Sequence, residues 1–220
     1  MIDCFIVGAN EKSIEEQIAQ ARTQPSAAEY SRYLNLSYIV HEGKPYQPLD
    51  LVNHFLTPMN GAQSKKLNST DFIQTAILYL GSYLHREGFT FDYVNLYREE
   101  KDEFKEKLSN NRILTIAITT TLYTSPEPIF EIIEFVKKYN SQAKIVVGGP
   151  FVHYMHRTLH PLMVKSFLAQ SAIDFLVISS EGELALTNIL GALKNNQPLD
   201  SINNIAYKDG DAVRMTPIVE

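Results

Sequence analysis

The stretch ILTIAITTTLYTSPEPIFEIIEFVKKYNSQAKIVVGGP, Ile113–Pro150, decides the fold. It opens on a strongly β-branched, apolar run, ILTIAITTTLY, which reads as a buried strand. SPEPIFEIIEFVKKY follows as a helix, with Ser125 as its cap and Pro126 at the first helical position. KIVVGG, Lys144–Gly149, returns as a second strand that ends on bare glycine backbone. Strand, helix and strand, with both strands continuously apolar, argue for parallel pairing in a sheet covered on both faces.

The same alternation continues on either side. IDCFIVGAN, Ile2–Asn10, is a short apolar run leading into a loop. KSIEEQIAQAR is expected to be a helix, with Ser13 and Glu16 in capping-box register. Between Thr23 and Asn68 the pattern loosens around Pro25, Pro45, Pro48 and Pro58, and residues 23–68 read as an insertion or cap. STDFIQTAILYLGSYLHREG predicts a helix from Ser69 or Thr70, with Phe72, Ala76, Leu80 and Leu84 on one face and Gly88 as its stop. FTFDYVNL then reads as a strand and EKDEFKEKL as a polar helix. HPLMVKSFLAQ predicts a short helix, DFLVISS a strand and EGELALTNILGALKNN a helix. INNIAYKDGDAVRMTPIV closes as a hairpin around Asp209-Gly210. The fold class expected is therefore α/β, a doubly wound parallel sheet forming one domain over residues 1–220.

Composition narrows the function classes. With 220 residues, 45% of them hydrophobic, the chain can bury a sizeable core. A net charge of −5 and no Lys/Arg cluster argue against a nucleic-acid surface. Cys4 is the single cysteine, so neither a disulfide, a cysteine zinc site nor an iron–sulfur cluster can form within the chain. It lies in an apolar run and reads as a small buried thiol. No apolar run reaches 18 residues, and no basic region precedes an apolar stretch at the start. The expectation is a cytoplasmic chain without a membrane partner.

In doubly wound sheets, ligands bind beyond the carboxyl ends of the strands. That rule selects four segments as candidate cofactor contacts: Gly8, Ala9 and Asn10; Thr119, Thr120, Thr121, Leu122 and Tyr123; Gly148, Gly149 and Pro150; and Ser180, Glu181, Gly182 and Glu183. The glycine pair makes either a tight turn or a floor on which a bulky ligand lies. The threonine hydroxyls suit a ring nitrogen or phosphate, although β-propensity also explains them. Ser180 and Glu183 stand in capping-box register, which accounts for both without a ligand. Gly182 is locally unfavourable in a first helical turn and hints at close approach of another group.

In order and spacing, TTTLYTSPEPIFEIIEFVKKYNSQAKIVVGGP followed by DFLVISSEGE resembles the cobalamin-binding domain that precedes the catalytic barrel in B12-dependent radical-SAM methyltransferases. AILYLGSYLHREGFTFDYVNL resembles the helix after that domain's first strand, and IDCFIVGAN with IAITTTLY (Ile116–Tyr123) looks closest to the P-methyltransferase-like branch, named for phosphinothricin biosynthesis. The resemblance covers nearly the whole chain. It implies a flavodoxin-like (Rossmann-like) domain of strand order 2-1-3-4-5 with an insertion after the first strand. It also implies a cobalamin whose nucleotide tail lies over the strand ends, where a Cβ would narrow its slot. Thr119-Thr120-Thr121 stands where the family carries S-x-L, with Thr for Ser and no Leu in third place.

Two departures shape the expected function. Methionine-synthase-type domains carry D-x-H-x-x-G after the first strand, where His coordinates cobalt; this chain has VGANEKS there. His85-Arg86-Glu87-Gly88 spells H-x-x-G at a helix end, the wrong place. The resemblance thus implies base-off methylcobalamin without a His ligand, delivering methyl to a carbon or phosphorus. The chain also lacks C-x-x-x-C-x-x-C, so S-adenosylmethionine and the [4Fe–4S] cluster would belong to a radical-SAM barrel in cis, beyond the hairpin at 200–220. His153, His156 and His160 have metal-ligand spacing, but FVHYMHRTLHP begins as a loop without a partnering carboxylate or Cys, and surface or cap packing suits them better. A degenerate regulatory or structural domain that has lost its corrinoid is the alternative. A phosphoacceptor receiver, a G-x-G-x-x-G dinucleotide enzyme and a G-x-S-x-G hydrolase all lack their residues here.

Overall fold

The computed structural model describes residues 1–11, 16, 19, 38–60, 66–68, 71–121, 123 and 125–219. Strand β1 (Ile2–Ala9) is buried from Asp3 onward, as its unbroken apolar run requires of a central strand. It pairs in parallel with β4 (Phe91–Leu96) on one side and β5 (Ile113–Thr119) on the other; Ile6 stands opposite both Tyr93 and Ala117. β5 pairs in parallel with β6 (Lys144–Gly148), and β6 with β7 (Phe175–Val177). The parallel order β4-β1-β5-β6-β7 is 2-1-3-4-5 in order of appearance. β8 (Ile205–Asp209) and β9 (Ala212–Met215) form the expected hairpin and add antiparallel to β7, so the sheet has seven strands rather than five.

The chain divides into two compact units, Met1–Glu11 with Ile73–Glu220, and Lys12–Phe72. In the second, β2 (Ile39–His41) and β3 (Lys44–Tyr46) form a small hairpin that packs with α1 (Pro48–Asn60). The Asn53 side chain holds Leu67 through both backbone groups, at 2.8 and 2.9 Å. The helix expected over KSIEEQIAQAR falls almost wholly outside the described residues.

Helices cover the main sheet unevenly. One core joins the sheet to α3 (Lys101–Asn110), α4 (Glu127–Tyr139), α5 (Pro150–Thr158) and α6 (Pro161–Gln170). The other face carries, among the described residues, only α2 (Thr75–Arg86) and α7 (Glu183–Asn195). α2 packs on β1 and β4. α7 shares its core with Phe175, Ile205 and Tyr207 of β7 and β8. Between these two helices lies a space lined by residues of β5 and β6.

Several local expectations need correction. α2 begins at Thr75, not at Ser69 or Thr70, which lie outside the described residues. Phe72 is exposed, while Leu84 is buried and Ala76 and Leu80 half-buried as expected; Ile77 and Gly81 are buried beside them. The Gln74 amide donates instead to Asn95 Oδ1 on β4, 2.9 Å away, which sets where the helix starts. Residues 150–158, expected to begin as a loop, are helical as α5, because Pro150 supplies the fixed φ of a first turn. Ser125 does not cap α4, which begins at Glu127 with Pro126 in the cap position. Ser180 and Glu183 form no capping box, since Gly182 is the cap residue of α7. Gly88 does end α2 as expected, at φ +79°. No helix among the described residues is long and apolar enough to cross a membrane.

Candidate functional site

The gap between α2 and α7 is a cavity of about 260 Å³ over the carboxyl ends of β5, β6 and β7. Its floor is Ala117, Val146 and Val177, one residue from each strand. Register sets their depth. Thr119, Gly148 and Val177 share one level, and Ala117 and Val146 share the level two residues earlier. Two strand residues span roughly 6.6 Å, so the floor reaches about that far back along the strands from their ends. Ala76, Tyr79 and Leu80 of α2 and Leu186 of α7 form the walls.

Gly148 and Gly182 keep this space open for the same reason. A Cβ on Gly148 would stand 3.1 Å from Val177 Cβ, and one on Gly182 would stand 3.2 Å from Val177 Cγ1. Either would press on the floor residue between them. Gly149 has a different role. Its φ of +109° is a conformation L side chains rarely adopt, and a Cβ there would meet Thr120 Oγ1 at 2.9 Å. That turn carries the chain from β6 into Pro150 and α5 along the cavity edge.

The three threonines divide their work. Thr119 lines the cavity, but its hydroxyl donates to the Val7 carbonyl at 3.2 Å. Thr120 is fully buried and outside the lining; its hydroxyl donates to the Gly148 carbonyl at 2.9 Å and accepts from the Phe151 amide at 3.3 Å. It latches the end of β5 to the glycine turn. Thr121 is exposed and lines the cavity mouth. Ser180, Gly182 and Glu183 line the opposite side. Glu181 does not, and its amide donates to Ser179 Oγ at 3.1 Å. The N-terminus of α7 has no side-chain cap, so amide donors stand beside this rim.

The residues at the end of β1 lie outside the cavity lining. A Cβ on Gly8 would fall 2.2 Å from the Asn95 carbonyl, so this glycine serves close strand packing. Ala9 pairs with Leu96. The Asn10 side chain donates to the Pro128 carbonyl (3.1 Å) and to Glu131 Oε2 (3.0 Å), and accepts from Arg98 Nε (2.8 Å). Tyr123 accepts from the Asn10 amide at 2.9 Å and donates to the Gly8 carbonyl at 3.3 Å. Burial pushes the Tyr123 phenol well above its ordinary value, so it stays a neutral donor. Leu122 lies outside the described residues.

Among the described residues no group of three His, Cys, Asp or Glu is placed to hold a metal ion. His160 caps α6 by accepting from the Leu162 amide at 3.2 Å, and His85 is exposed at the end of α2. Sequence reasoning missed Ala117, Val146 and Val177 because strand interiors read as plain core. Only the small Ala117 between Ile116 and Ile118 signalled space above the sheet.

Comparison with known proteins bears on this cavity. No curated protein matches the chain in sequence. Two structures of the radical S-adenosylmethionine methyltransferase TsrM from Kitasatospora setae align with it. The one with tryptophan substrate and a SAM analogue (aza-SAM) bound gives a TM-score of 0.52 at 18% identity, covering 66% of this chain and 27% of that one. The one with cobalamin and a [4Fe–4S] cluster bound gives 0.51 at 19%, covering 68% and 27%. The chain thus spans about a quarter of that enzyme's length, and the likeness is one of fold. The profile of the family described as "B12 binding domain" matches residues 69–189, which run from just before α2 into α7 and so bracket the whole cavity. That match extends over more than half of the 220 residues, and the chain belongs to the B12-binding domain family.

Proposed function

We propose that this domain binds a cobalamin through its nucleotide tail, seated between α2 and α7. The observation that carries the reading is the floor of Ala117, Val146 and Val177, flanked by two glycines whose Cβ atoms would crowd it. A cavity of about 260 Å³ suits a bicyclic base and leaves the corrin ring outside, over the strand ends. Thr121, Ser180 and the amides at the start of α7 would meet the ribose and phosphodiester at the mouth, and Glu183 a ribose hydroxyl. Thr119 and the Gly148-Gly149-Pro150 turn would border the tail, with Thr120 holding that turn in place. Gly8, Ala9, Asn10, Leu122, Tyr123 and Glu181 would act as the surroundings of the site.

The cofactor would be bound base-off without a histidine below cobalt. The segment after β1 carries Asn10, whose side chain is committed to Pro128, Glu131 and Arg98. Bound in this way, the corrinoid would supply a methyl group to a substrate carbon or phosphorus. The chain has one cysteine, so the [4Fe–4S] cluster and S-adenosylmethionine would be held by a radical-SAM barrel joined to it. In that arrangement residues 1–220 make one binding domain, with 23–68 inserted and 200–220 leading towards the barrel.

The test is to mix the protein with hydroxocobalamin, desalt it and record the visible spectrum. Retained pigment with a base-off spectrum is expected. Colourless protein after desalting would overturn the reading in favour of a domain that keeps the fold without the cofactor.

A further inference from the structure

We infer that this cavity selects corrinoids by the base at the end of the nucleotide tail, favouring an alkyl-substituted benzimidazole over an aminopurine. The inference rests on the corrinoid reading above and goes beyond it. At depth the cavity offers no free side-chain donor among its described lining: Ala117, Val146 and Val177 are the floor, Leu80 and Leu186 flank it, and the Thr119 proton is engaged by Val7. The backbone there is engaged as well, because Ala117 and Val146 are paired strand neighbours. The nearest hydroxyls are directed away. Thr119 donates to Val7, and Thr120 is spent between Gly148 and Phe151. The other polar side chains that line the cavity, Tyr79, Thr121, Ser180 and Glu183, are exposed or half-exposed towards its mouth.

A benzimidazole with two methyl groups places hydrocarbon against this floor. An adenine base would bring an exocyclic amine and additional ring nitrogens into the same space, where water is displaced and no free side-chain donor is left for those nitrogens. Each polar group buried unsatisfied weakens binding by about tenfold or more. The discrimination follows from what the floor lacks.

The experiment is an equilibrium titration of the protein, followed by the corrinoid's visible spectrum, with three probes: cobalamin, its adenine-tailed analogue and tail-less cobinamide. Cobalamin is expected to bind at least about tenfold tighter than the adenine-tailed analogue, and cobinamide more weakly than cobalamin. Val146→Thr and Ala117→Ser, each confirmed as folded by circular dichroism, add a hydroxyl at the floor and should narrow the preference several-fold. Equal affinity for cobalamin and the adenine-tailed analogue, with cobinamide weaker, overturns the selectivity and leaves corrinoid binding standing. Cobinamide binding as tightly as cobalamin removes the tail from the cavity and overturns the inference too. An unchanged preference in both folded variants also overturns it. No binding of any probe overturns the corrinoid reading itself.

Discussion

At Gly149, φ of +109° combines with a Cβ position 2.9 Å from Thr120 Oγ1, so alanine is opposed twice, by its own backbone and by a buried neighbour. Gly149→Ala should lower unfolding free energy by about 2–3 kcal/mol, read from urea denaturation. Gly148 lies in a strand, and its Cβ would meet Val177 first, whose Cβ is 3.1 Å away. Gly148→Ala should cost about 1 kcal/mol of stability while clearly reducing the cobalamin retained after desalting. If retention were unchanged, the glycine's part in the cavity would be refuted. As letters in the chain, the two glycines are alike. Contact with Thr120, 29 residues from Gly149, separates their roles.

Between elements, the end of β1 is tied down by Tyr123 and Asn10. Tyr123→Phe removes the acceptor of a buried amide and should cost about 1–3 kcal/mol, seen as a lower urea midpoint. Asn10→Asp keeps the acceptor for Arg98 but removes the donor to the Pro128 carbonyl and to Glu131, and should lower the urea midpoint. An unchanged midpoint would contradict this account. Most elements were legible because their signals are local: the β-branched run of β5, the proline before α4 and the Asp209-Gly210 turn. Element starts were less so. The capping box at Ser180 and the early start of α2 follow sound local rules, yet Gly182 caps α7 and Asn95 sets where α2 begins. A single tertiary hydrogen bond is worth as much as a cap, so local preference loses wherever one is offered.

Across the molecule, Asp3 on β1 joins the last turn of α7 to the segment before β4. Its carboxylate meets Lys194 at 3.0 Å and accepts from the Thr90 amide (2.9 Å) and hydroxyl (3.0 Å). Burial alone would raise its pKa; the bonds from Thr90 and Lys194 outweigh that and leave it lowered. A carboxylate depressed in the folded state contributes stability above its unfolded value and loses it as pH falls through the folded one. Stability should therefore fall below about pH 4, and Asp3→Asn should flatten that acid limb in pH-dependent urea melts. On the neighbouring residue, burial pushes the Cys4 thiol up to about 12. Native protein at neutral pH should resist iodoacetamide and react only once unfolded, as mass spectrometry would show.

The sequence alone determined the parallel α/β class, the closing hairpin, the buried state of Cys4 and the strand ends at which to look for a ligand. Each follows from short-range patterns: apolar period, turn residues and chain punctuation. Tertiary structure decided which of those ends share a cavity. It joined β5, β6 and β7 to α2 and α7, and it left the end of β1 engaged with Asn10, Arg98 and Glu131. The reason is geometric: a cavity is the space that helices leave uncovered, and which face each helix takes depends on strand order and packing among residues far apart in the chain.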